Sequence, residues 1–139
     1  MLYDLSDPLR PVATGSLQDY RVFAVAANTL FFVPGSDITP TNVSTLIVED
    51  MSNPSQLAEI GRLDLPFHPY ELALVANTLY LSMGSGEWAE SISAVNVSDR
   101  SHPQLKWNLP LSVNDFGVDG DLVYLAAGEA GLLILLDEE

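Results

Sequence analysis

A chain of 139 residues, 47% apolar and 17% charged, is long enough for one domain with a real core and too apolar to stay disordered. Its 19 acids against 5 Lys and Arg leave a formal charge of −14, which repels phosphate backbones and anionic lipid. Nucleic-acid binding and docking on an acidic membrane are therefore excluded, while cations and basic partners stay open. Cysteine is absent, which removes disulfides, thiolate nucleophiles and thiolate metal sites. No apolar run reaches the roughly 18 residues of a membrane helix. The longest candidate, residues 126–136, is broken by Gly128, Glu129 and Gly131. Asp4 and Asp7 follow Met1 with no basic start or apolar stretch, so no signal peptide is read here.

In chain order, residues 2–5 and 12–17 read as two short strands around the Ser6-Asp7-Pro8 turn. A four-strand unit follows at 21–26, 30–33, 45–51 and 57–63. A second occupies 70–75, 79–83, 91–97 and 105–109, and a third 115–118, 123–127 and 132–137, without a fourth strand. The strands are rich in Val, Leu, Phe and Tyr, which suit a pleated sheet, and no long stretch has helical periodicity with caps. Asn28-Thr29, Asn77-Thr78 and Asp119-Gly120-Asp121 sit between apolar runs as hairpin turns, with Asn, Asp and Gly expected to take the positive φ.

These units repeat. Asp4, Asp50 and Asn96 stand 46 residues apart, and Ser6, Ser52 and Ser98 keep the same step. The aromatics Phe31, Tyr80 and Tyr124 occupy equivalent places in the second marker. Four-stranded units of about 40–50 residues have the size of a β-propeller blade. The expectation is an all-β fold of about three four-stranded antiparallel blades in one domain over residues 1–139. Residues 1–19 give two strands of a partial blade, 20–64 and 65–110 two blades, and 111–139 a further partial blade. Ala24, Ala73 and Gly117 fit a crowded inner strand. A solenoid of stacked hairpins is the structural alternative. Closed propellers have about four to eight blades, so the array is either incomplete or closed by oligomerisation. The expected partner is accordingly a second copy or further blades of a longer chain.

At these residues the chain resembles the LVIVD-repeat β-propeller family. Gly131-Leu-Leu-Ile-Leu-Leu-Asp137 is similar to the opening of the family's unit, and Asp4-Leu-Ser-Asp-Pro8 and Asp50-Met-Ser-Asn-Pro54 to its close. Tyr124-Leu-Ala126 is similar to the later strand. The departures are the missing glycine before Leu46, Arg100 where proline is expected, and the longer loops at 34–44 and 83–90. The resemblance implies the fold and a cell-surface or secreted location, but no reaction and no cofactor.

The chain carries no nucleophile elbow, phosphate loop, dinucleotide fingerprint or zinc-protease motif. His68 is placed in the connection before the second unit and His102 in a turn at the opposite end, each in a loop role. No metal site is read. Asp119 and Asp121 are read as turn residues, and the Asp137-Glu-Glu139 tail as solvated. Asp4, Asp50 and Asn96 are expected to hydrogen-bond nearby backbone amides. The sequons at Asn42 and Asn96 are taken as fortuitous. On the blade reading, the loops at one end gather Asp37, Phe67, His68, Glu71, Glu87, Trp88, Glu90, Asp115 and Glu129 into a ligand or partner face, with Glu71 and Asp115 flanking a channel mouth. The expected function is a non-catalytic scaffold or binding module. The rival is a hydrolase- or lyase-type enzyme whose site forms on that face after ring closure. Fold alone does not choose between them.

Overall fold

The computed structural model describes residues 2–4, 6–15, 20–34, 44–53, 55–84 and 90–138. The described chain is antiparallel sheet with one short 3-10 helix. A two-stranded ribbon, β1 (Leu2–Asp4) and β2 (Val12–Gly15), comes first. The first full blade is β3 (Tyr20–Ala26), β4 (Thr29–Pro34), β5 (Ser44–Asp50) and β6 (Ala58–Leu65), hydrogen-bonded in that order. The second is β7 (His68–Val75), β8 (Thr78–Gly84), β9 (Ser91–Asn96) and β10 (Gln104–Leu109), also paired in sequence. The third is three-stranded: β11 (Asp115–Asp119), β12 (Leu122–Ala126) and β13 (Leu132–Leu136), with the 3-10 turn Gly128–Ala130 between the last two. The expected strands are present to within a residue or two. The sheets stay separate and pack face to face, as blades do, and form an open array.

Register makes the repeat exact enough to compare residues. Phe31 pairs with Val48, Tyr80 with Ala94 and Tyr124 with Ile134. After each third strand one amide reaches back to the first hairpin: Met51 N donates to Asn28 O at 2.6 Å, Val97 N to Asn77 O at 2.8 Å, and Asp137 N to Asp121 O at 2.7 Å. Even the irregularities recur, because β6 and β10 carry the same register shift opposite β5 and β9.

Two cores alternate along the array, because each strand sends alternate side chains to opposite faces. The first lies between the first two blades and joins Phe31, Val33, Leu46 and Val48 to Leu79, Leu81, Met83 and Val95. The second lies between the next two and joins Tyr80, Ile92 and Ala94 to Phe116, Val123 and Leu125. Strand β8 feeds both, and all seven of its residues are buried.

Three expectations are corrected. The positive φ in the first two hairpins falls on Ala27 (51°) and Ala76 (52°), not on the asparagines, and on Gly120 (59°) in the third. Ala24 and Ala73 pack partly into the cores, but a β-carbon built on Gly117 would touch nothing within 4 Å, since no described sheet covers that side of the third blade. His68 does not lie in a connection; it opens β7 and is buried.

Candidate functional site

Antiparallel order puts the starts of β3, β7 and β11, the ends of β4, β8 and β12, and the starts of β5, β9 and β13 at one end of their sheets. The expected binding face belongs to that end. Of its residues, Asp37, Glu87 and Trp88 lie outside the described residues. Phe67 is half-buried and packs against the first core, so its ring is used by the fold. Glu71, Glu90, Asp115 and Glu129 are exposed. Glu90 N donates to Met83 O at 2.7 Å, which fixes the entry to β9. Asp115 Oδ1 accepts from the amide of Phe116 at 2.8 Å. Glu71 and Asp115 come from the innermost strands of adjacent blades. Partial burial first, and then the charge of Asp115, raise the Glu71 carboxyl above its ordinary value.

His68 sits at the same end, inside the joint between blades one and two. Its Nδ1 shares a hydrogen bond with Ser44 Oγ, with the donor set by the imidazole tautomer, and Ser44 is itself buried. Its Nε2 is buried and has no protein partner, as are Ser91 Oγ and Ser93 Oγ. Among the described residues no group of three or more His, Asp or Glu gathers as metal ligands.

The opposite end carries the repeat's turns. Asp50 Oδ1 accepts from Ser52 N at 2.8 Å and Asn96 Oδ1 from Ser98 N at 2.9 Å. A second such turn follows each: Asn53 onto Ser55 N at 3.2 Å and Asp99 onto Ser101 N at 3.0 Å. The recurring acid or amide therefore shapes a turn, as expected; the side chain of Asp4 is not among those described. His102 is exposed in such a turn, bonded to Ser101 Oγ at 2.9 Å and Asp99 Oδ2 at 3.1 Å. A polar hollow of about 280 Å³ lies beside these turns, lined by Asn77, Thr78, Asn96, Ser98 and Lys106.

The main polar cluster of the described chain centres on Asp137, which was expected to be solvated. Its carboxylate is buried and accepts from Tyr80 Oη at 2.7 Å, Trp107 Nε1 at 2.9 Å and Lys106 Nζ at 3.1 Å. Burial alone would raise this carboxyl; the three donors and the lysine charge outweigh it and hold the group below the usual carboxylate range. Burial, and then the neighbouring carboxylate, push the Tyr80 hydroxyl far up. The network ties blade three to β8 and β10 of blade two. Register explains why it was missed. Asp137 does not align with Asp50 and Asn96 but with the next residues, Met51 and Val97, so the acid occupies an apolar position of the repeat.

The family model for the LVIVD repeat matches residues 42–64, which hold the third strand of the first full blade and all but the last residue of its fourth. The chain thus carries an LVIVD repeat. No curated protein matches it.

Proposed function

We propose that this chain is a non-catalytic scaffold or binding module, secreted or displayed at a cell surface, that meets a basic partner on the acidic loop end of its blades. The observation that carries this reading is the grouping of Glu71, Glu90, Asp115 and Glu129, all exposed, at the strand-start end. A formal charge of −14 adds a long-range field that draws cationic partners in. The groups an enzyme reading would turn to are engaged elsewhere: His68 and Ser44 are buried in a blade joint, and Asp137 is saturated with donors. The LVIVD repeat supports a repeat-built scaffold.

The test is calorimetric titration with a Lys/Arg-rich decapeptide at low and moderate salt. Binding that weakens with salt and falls at least tenfold in the Glu71→Gln, Asp115→Asn, Glu129→Gln triple variant supports the reading. Unchanged binding in that variant, or no binding at low salt, overturns it. Surface biotinylation of intact cells expressing the full gene checks the location; labelling only after lysis contradicts it.

A further inference from the structure

The two joints inside the chain show what covers each side of a blade. In both, the third-strand residues turned toward the following blade are shut away: Leu46 and Val48 in the first, Ile92 and Ala94 in the second, all 0% exposed. Register makes Leu132 and Ile134 their counterparts on β13, and these are 66% and 56% exposed. Leu136, beside them, is exposed as well. The reverse side of the array is open in a matching way. Phe23 on β3 stands where Leu72 stands on β7 and Phe116 on β11, since each pairs with the same position of its neighbour. Phe116 is 9% exposed inside the second joint, whereas Phe23 is 63% exposed and Val25 two residues on is exposed too.

The chain therefore presents two apolar faces that, in its own joints, are the two halves of one interface. We propose that these faces bind each other between two copies of this chain, the forward face of the third blade of one copy on the rear face of the first blade of the other. This names the partner from the internal joints and stands apart from the acidic loop end. The contact is heterologous, and two copies that meet at both ends close on themselves instead of stacking without limit. The edge of the third blade fits the same role. In the other blades the third strand has an outer neighbour, β6 or β10, while the outer edge of β13 has no strand beside it among the described residues. A hollow of about 300 Å³ lies there between Trp107, Leu109, Leu135 and Leu136. Unpaired edges and contiguous apolar faces are what folded chains cover by association. The negative charge elsewhere opposes the meeting of two copies, so association through apolar faces strengthens as salt screens that repulsion.

Sedimentation velocity at micromolar concentration tests the proposal on the full chain. The expected result is a two-chain species favoured by added salt. Ile134→Glu and Phe23→Glu, each checked for strand content by circular dichroism, are expected to sediment as monomers. Mixing the two variants restores a dimer, because each supplies the intact face the other lacks. A wild-type monomer at tens of micromolar and moderate salt overturns the proposal, as does a dimer that survives both substitutions.

Discussion

The main-chain carbonyl of Arg100 lies so close over Gly61 that a β-carbon on Gly61 would collide with it, and the Cα of Ser101 would stand 3.1 Å from that carbon. This contact seats the turn of the second blade on the outer strand of the first. It also gives a purpose to Arg100, which stands 46 residues after Pro54 at the same step of the repeat: its guanidinium lies 5.4 Å from the centroid of the Phe31 ring. The equivalent position to Gly61 in the second blade is Trp107, whose indole donates to Asp137. One joint is closed by the absence of a side chain, the next by a large one.

Gly61→Ala is expected to cost about 1–3 kcal/mol, since the colliding atom is backbone and cannot swing aside. Gly117→Ala, where the new methyl meets nothing within 4 Å, is expected to be neutral or to stabilise by about 0.4–1 kcal/mol through the unfolded chain. Urea midpoints for the two variants check the contrast; equal losses would show that the joint is looser than its geometry.

Asp137 predicts acid sensitivity of the second joint. Its carboxyl titrates lower in the folded chain than in the unfolded chain. Its contribution is therefore full above the unfolded value of about 4 and drains away as pH falls through the folded value. Asp137→Asn is expected to lose about 1.5–3 kcal/mol at neutral pH and to flatten the acid limb of the stability profile. Denaturant melts between pH 7 and pH 3 measure both. A variant whose acid limb matches the wild type would place the sensitivity elsewhere.

Ala76 and Ala27 hold positive φ values, 52° and 51°, that cost a residue with a β-carbon about 1–2 kcal/mol. The third hairpin uses Gly120 at that point. Ala76→Gly is expected to stabilise by a few tenths to about 1 kcal/mol after the added freedom of the unfolded chain is subtracted. A rise in melting temperature is the readout, and a fall would mean that the Ala76 methyl is used in packing.

Much of the fold is legible in the residues. The 46-residue step of Asp50 and Asn96 and the matching Phe31, Tyr80 and Tyr124 fix the strand order and the hairpins before any coordinates, because period-two apolar runs and turn residues are local signals. What was not legible depends on neighbours. Asp137 looks like a charged tail until register places it at the position of Met51 and Val97, facing Tyr80, Lys106 and Trp107 from another sheet. His68, flanked by Leu65-Pro-Phe67 and Pro69, reads as a loop residue, because its hydrogen-bond partner Ser44 stands 24 positions earlier in another blade. For the binding face, the acids Glu71 and Asp115 were legible as starts of equivalent inner strands; Trp88, Asp37 and Glu87 lie outside the described residues.

The unlike chemistry of the two joints makes the array directional. The first joint holds a cation over a ring and the buried pair of His68 and Ser44; the second hangs on the Asp137 carboxylate and its three donors. In a protein built from neighbours that each touch only the next, loss of one coupling lets the far unit fray while the rest stays cooperative. Protonation of Asp137 should thus loosen the third blade from the second, which amide exchange would record as faster exchange on β11–β13 than on the strand buried on both faces, β8.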